Sequence, residues 1–227
     1  IYQSIGMRWI AMEQFYLVNP DVTTRRICRV DDRDVVPLAT HLPPGYAFEE
    51  IADAPQLRGF PFLQTASVGP LKDWAYLQRR FFQHPIYRYR VFRLTCAGEA
   101  VNIVVCREVS HTGSHALRVV DFYGDERHMS AVVAMLAELL REARYEYADF
   151  VCSGFDVQRM QSSGWQRLQF DSGDTVVPNY FEPFVMSNVR VYAVADDHPQ
   201  ISVRLCRADG DQDRPNVDTA PQLSAAS

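Results

Sequence analysis

Residues 116–152 read ALRVVDFYGDERHMSAVVAMLAELLREARYEYADFVC, and the fold depends on how this stretch is parsed. Residues 116–123 are almost continuously apolar, as a strand covered on both faces would be. Near 126–143, Met129, Val132, Val133, Leu136, Leu139, Leu140 and Ala143 keep the i, i+3, i+4, i+7 spacing of a helix with one buried face. A second apolar run, YADFVC at 147–152, follows. Strand, long helix, strand predicts two parallel neighbours in one sheet, joined by a right-handed crossover.

Working outward, 86–95 (IYRYRVFRLT) alternates apolar and basic groups, and 100–109 (AVNIVVCREV) is more uniformly apolar. With 116–123 these runs predict an antiparallel meander. From residue 71, Trp74, Leu77, Phe81 and Phe82 follow helical spacing up to the stop at His84-Pro85. Downstream the pattern predicts a short helix near 155–163, a strand from Trp165, and strands at 188–195 and 201–206. Residues 9–18 (WIAMEQFYLV) read as a strand. Residues 20–70 carry Pro20, Pro37, Pro43, Pro44, Pro55, Pro61 and Pro70, with a short helix expected near Asp32–His41 and the rest an ordered connector. The fold class is α/β (α+β): a mixed, mostly antiparallel central sheet with helices on both faces.

Composition narrows the function. The chain has 227 residues, 47% hydrophobic and 22% charged, with a net charge of −5. That balance suits a packed domain and argues against nucleic-acid binding, which needs a positive field. Lys72 is the sole lysine, and it sits in no glycine-rich loop. Cys28, Cys96, Cys106, Cys152 and Cys206 form no C-x-x-C pair, so neither a zinc site nor a dithiol centre is expected. Free cysteines in apolar runs suit a reducing, cytoplasmic setting. No stretch is long and apolar enough to span a bilayer. The first residue is Ile1, and the chain is expected to begin partway through a longer protein.

Residues 1–7 (IYQSIGM) and 159–165 (RMQSSGW) share Q-S-x-G before a large apolar residue, and each leads into a strand. Gly6 and Gly164 stand where a helix end needs a left-handed residue. This repeat, together with the element order, resembles the GNAT (GCN5-related N-acetyltransferase) family, whose last helix ends in a Y-x-x-x-G-F-like segment. Tyr2 to Met7 is similar to that segment; Met160 to Trp165 is similar with Met in place of Tyr. The resemblance implies a tandem-repeat type similar to FemAB-like and surface-polysaccharide-associated acyltransferases. Residues 1–27 would end a first repeat, 28–70 connect, 71–206 form a second repeat, and 207–227 be a polar tail.

The family resemblance implies acetyl-CoA or another acyl-CoA as cofactor, with its pyrophosphate on backbone N–H groups at the start of the long helix. The matching stretch, Asp121-Phe-Tyr-Gly124-Asp125-Glu126-Arg127-His128, has one glycine and two acids. Asp125 and Glu126 read as an N-cap and a dipole partner, which repel a pyrophosphate. No cofactor-binding residues are therefore assigned. The family's acid for the departing thiolate would be Tyr2, whose other reading is a half-buried capped ring.

Three further segments offer polar groups. Loop 178–184 (PNYFEPF) is fixed by two prolines and presents Asn179, Tyr180 and Glu182 to a sugar or peptide, with Glu182 a general base if an apolar wall raises its pKa. The other reading is an aromatic-anchored turn. Residues 209–214 (DGDQDR) lack the sixth-position glycine of a calcium loop, and Ala220 holds the twelfth position where a glutamate is needed; Asp211, Asp213 and Arg214 form either a substrate-facing turn or a solvated one. His84 stands at a helix end as a base or a cap. Asp121, followed by Tyr123, lies at the C-terminal end of a central strand, where open sheets hold ligands. Two functions follow: acyl transfer from a thioester to an amine, such as an amino sugar, or a non-catalytic GNAT-like half that binds a partner repeat, a second copy or a saccharide.

Overall fold

A computed structural model describes residues 7–62, 68–69, 72–171, 173–196, 202–210, 213 and 215. Its elements are β1 (Met7–Ala11), β2 (Glu13–Val18), β3 (Tyr46–Ile51), β4 (Val68–Gly69), α1 (Trp74–Leu77), β5 (Arg90–Cys96), β6 (Glu99–His111), β7 (Ser114–Gly124), α2 (Met129–Glu142), β8 (Tyr147–Ser153), α3 (Val157–Ser162), β9 (Gln166–Arg167), β10 (Tyr180–Phe181), β11 (Phe184–Val185), β12 (Tyr192–Asp196), β13 (Ser202–Val203) and β14 (Leu205–Cys206). A π-helical turn over Gln78–Phe82 prolongs α1.

The main sheet has the order β3-β5-β6-β7-β8-β2-β9, with β14 added on β8. All its pairings are antiparallel except β7–β8, which α2 connects. The decisive expectation therefore holds: Leu117–Val119 run parallel to Ala148–Phe150 in one sheet. With a meander before the parallel pair, the architecture is GNAT-like and mixed α/β.

The helix covers one face of the sheet. Met135, Leu136, Leu139 and Leu140 pack on Leu17, Leu117, Val119, Phe122, Ala148 and Phe150. Each such side chain contributes roughly 1.5–3 kcal/mol by leaving water. A bulge shifts the β6–β7 register between Val105/Asp121 and Cys106/Val119. The extra residue keeps Phe122 in the helix-side core, while Val120 and Tyr123 join the core of the other face.

Some elements differ from expectation. The apolar run 9–18 splits at Met12: β1 pairs with β12 in a separate ribbon, and β2 enters the main sheet beside β8. The helix expected near Asp32–His41 is a single 3-10 turn, Asp32–Asp34, capped by Asp31. Pro37 cannot supply the backbone N–H that a longer helix requires. Residues 46–51, within the proline-rich stretch, form the sheet's edge strand β3 against β5. Their two adjacent glutamates hide the alternation, yet both find arginine partners across the pair, Glu49 with Arg93 and Glu50 with Arg90. Residues 188–195 become strand only from Tyr192.

Candidate functional site

Beyond Val119 and Phe150, β7 and β8 part. β7 continues beside β6 to Gly124, while Cys152 and Ser153 of β8 pair with Cys206 and Leu205 of β14. The family resemblance puts a thioester between these diverging strands. Here the chain itself lies there. Gly154 permits the close approach: its φ is +80°, and a Cβ would stand 2.2 Å from the Val203 carbonyl oxygen.

The start of α2 is closed by the same segment. Arg204 donates to the Gly124 carbonyl at 3.2 Å, lies over the Phe155 ring and pairs with Glu126. Glu126 also accepts from the Asp156 N–H at 2.9 Å. Asp125 accepts from the Arg127 N–H at 2.8 Å, the N-cap expected from the sequence. Two carboxylates and an internal ion pair thus stand where the family's pyrophosphate would rest.

On the face away from α2, two polar clusters adjoin. In the first, Lys72 pairs with Asp121 and, at 2.8 Å, with Asp209. Asp121 is fully buried and also accepts from Tyr123 Oη and the Phe122 N–H, both at 2.9 Å. Asp209 accepts from the Cys206 N–H at 2.7 Å, which ties β14 to the lysine. Burial works against the Lys72 charge, but Asp121, Cys206 and Asp209 outweigh it and lift its pKa above the ordinary lysine value. Asp121, Cys206 and Asp209 bring ligand atoms within 4.8 Å of one another, a spacing that could hold a cation; the Lys72 ammonium supplies the positive charge there.

The second cluster runs across neighbouring strands. Sheet register sets Arg107 of β6 beside Arg118 of β7, and Arg118 beside Asp149 of β8. Arg118 grips Asp149 at 3.0 and 3.2 Å, both side chains almost wholly buried. Arg107 bonds Asp213 at 2.9 and 2.8 Å, and Asp213 also accepts from Tyr89 Oη at 2.6 Å. The Arg107 guanidinium lies 3.8 Å from the Tyr87 ring centroid, and Tyr87 Oη donates to Glu182 at 2.8 Å. Burial and that carboxylate push the Tyr87 hydroxyl up to about 12, so it keeps its proton at neutral pH. Arg207 is buried and reaches Asp149 only at 3.4 Å.

The sequence candidates gather around these clusters. Asp121 and Tyr123 lie in the first and Asp213 in the second, buried and bonded to protein groups. Glu182 is 44% exposed in its side chain and meets Tyr87 and Arg107 rather than an apolar wall. His84 stacks on Tyr87, and its Nδ1 accepts from the Ile86 and Tyr87 N–H groups at 3.2 and 2.9 Å. That ring nitrogen therefore holds a turn. Asn179 is buried and donates to Gln14 and Val189, while Tyr180 is 38% exposed on β10. Tyr2, Asp211 and Arg214 lie outside the described residues. Sequence reasoning passed over Arg107, Arg118, Asp149 and Arg207. For Arg107, Arg118 and Asp149 the available signal was a charge set inside otherwise apolar runs, in VVCREV, ALRVVD and YADFVC.

No family model matches the chain, and no curated protein matches it. Solved structures do resemble it. A functionally unknown conserved protein from Staphylococcus epidermidis is 11% identical at a TM-score of 0.45, covering 73% of this chain and 61% of that one. A GCN5-related N-acetyltransferase from Anabaena variabilis is 9% identical at 0.45, covering 69% and 37%. A conserved protein from Enterococcus faecalis, described as a probable N-acyltransferase, is 14% identical at 0.46, covering 74% and 40%. This chain thus spans between 37% and 61% of the length of those three. Among the described residues, no helix is long and apolar enough to cross a membrane.

Proposed function

We propose that this chain is a GNAT-like half of an N-acyltransferase, one whose own thioester cleft is closed and which serves the acceptor side of the reaction. The observation that carries this reading is the pairing of Leu205–Cys206 with Ser153–Cys152 in the gap between β7 and β8. A backbone in that gap takes the β8 hydrogen bonds that a cofactor's amide chain would need. Arg204 and Glu126 likewise occupy the helix end that would receive a pyrophosphate.

In this reading the acyl-CoA is held by a companion repeat, in a cytoplasmic protein, and the acceptor amine belongs to a polar molecule such as an amino sugar used in surface polysaccharides. Support for a polar acceptor comes from the exposed edge of the second cluster, where Tyr87, Glu182 and Tyr180 offer a hydroxyl, a carboxylate and a ring. A carboxylate there can take the proton that an amine loses on attacking a thioester.

Calorimetric titration of residues 1–227 with acetyl-CoA tests the reading. No saturable heat is expected from this chain, and saturable heat is expected from the protein joined to its companion repeat. Stoichiometric binding by residues 1–227 alone would overturn it.

A further inference from the structure

Three polar side chains converge near the turn of the β6–β7 hairpin, on the face that α2 covers. Sheet register sets Ser110 directly opposite His115. Glu108 lies two positions before Ser110, so both side chains point to the same side. Cys106 and Leu117 continue that side into the core under α2. His115 Nδ1 lies 2.8 Å from Ser110 Oγ and 3.2 Å from Glu108 Oε1. The other Glu108 oxygen accepts from Tyr145 Oη at 2.8 Å. Tyr145 stands just past the end of α2. Burial and the Glu108 carboxylate push its hydroxyl up to about 12, so it remains a donor at neutral pH. The His115 carbonyl accepts from the Glu146 N–H at 2.9 Å, which fixes the strand beneath the ring.

The ring nitrogen has more oxygen neighbours than one proton can serve. Nδ1 carries at most a single hydrogen, which cannot bond fully to both. Without that hydrogen, Ser110 can donate to the ring, but the Glu108 oxygen then faces a nitrogen lone pair. A cation in place of the proton satisfies all three atoms. Metal–ligand bonds of about 2.0–2.2 Å put two donors of one ion roughly 2.9–3.4 Å apart, and the spacings here lie close to that range. The side chains of His115 and Glu108 are 45% and 47% exposed, so an ion reaches them from solvent. The Tyr145 bond to the far carboxylate oxygen is the kind of outer contact that orients a metal-bound carboxylate.

We infer that Glu108, Ser110 and His115 bind a divalent transition-metal ion such as Zn2+, with His115 Nδ1 and Glu108 Oε1 as the principal ligands. Ser110 Oγ is a weaker ligand, and water completes the shell. An imidazole nitrogen beside a carboxylate favours such an ion over Mg2+. No cysteine takes part, so the missing C-x-x-C pattern does not bear on this site. Through Tyr145 the ion ties the hairpin to the end of α2. The site is separate from the two polar clusters on the other face and does not depend on the acyl-transfer reading.

The test is calorimetry on the full chain with zinc chloride and magnesium chloride. One Zn2+ is expected to bind saturably, and Mg2+ at least about tenfold more weakly. His115→Ala and Glu108→Gln should each weaken Zn2+ by about tenfold or more. Both side chains are half exposed, so the variants should keep the parent's far-ultraviolet spectrum. Cys96 alone of the five thiols is not buried, and Cys96→Ser should leave the Zn2+ affinity unchanged. The inference fails if Zn2+ gives no saturable heat, if Mg2+ binds as tightly, if folded His115→Ala or Glu108→Gln binds Zn2+ like the parent, or if Cys96→Ser abolishes binding. None of these outcomes bears on acetyl-CoA, so the two readings fall separately.

Discussion

The two faces of the central sheet are built on different principles. The face under α2 is a continuous apolar layer, with Leu117, Val119, Ala148 and Phe150 meeting Met135, Leu136 and Leu139. The opposite face carries charge on the same strands: Arg118 follows Leu117, and Asp149 follows Ala148, because successive side chains point to opposite sides. There α1, its π-helical extension and the C-terminal segment provide cover, and ion pairs accompany the apolar contacts. An apolar layer tolerates small errors of position, since its attraction is non-directional. A buried charged layer is stable only while each group retains its partner. The second face is therefore the more specific of the two and the more easily broken.

Removing one charge should have the largest effect. Asp149→Ala leaves Arg118 and Arg207 buried without a carboxylate between them. It is expected to cost about 4 kcal/mol, read from urea unfolding, in the range of breaking a buried pair. A loss below about 1 kcal/mol, the scale of an exposed pair, would show that water reaches this face and would erase the contrast.

On the helix face, Leu136→Ala removes a fully buried side chain. About 3 kcal/mol is expected, from lost transfer energy and the cavity left behind. Combined with Asp149→Ala, the two losses should add, because the sheet separates the sites. Strong coupling in the double variant would show that the faces are not independent layers.

The smallest effect is a dependence on pH. Burial and then the Arg80 charge lower the His84 pKa below its ordinary 6.5, so the neutral ring is favoured in the folded state. Its contribution is present above the unfolded value and is lost as pH falls through the folded one. The ring is only half-buried, so solvent screening keeps the effect slight. Urea midpoints measured downward from pH 7 should decline slightly more for the parent than for His84→Asn, and equal declines would remove His84 from the polar face's pH response.

Much of the helix-side face was legible in the chain. The spacing from Met129 to Ala143 announced α2, and the apolar runs on either side announced its two parallel strands. Regularity makes such signals readable, because one face repeats every 3.6 or 2 residues. Edge strand β3 escaped notice since Glu49 and Glu50 interrupt its alternation, and their arginine partners stand 44 and 40 residues away. The candidate residues Asn179, Glu182, His84 and Asp213 were visible as unusual loop chemistry, but what surrounds them was not.

The sequence by itself determined the order of the elements from β5 to β8, the direction of the β7–β8 pair and the acidic start of α2, because these depend on neighbours a few positions apart. Only the tertiary structure decided that Leu205–Cys206 would fill the gap beside β8 and that Lys72, Arg107 and Arg207 would meet their carboxylates. Those contacts join residues 52 to 137 positions apart. Which charge meets which is fixed by strand register and burial, and neither quantity is encoded in any local stretch of chain.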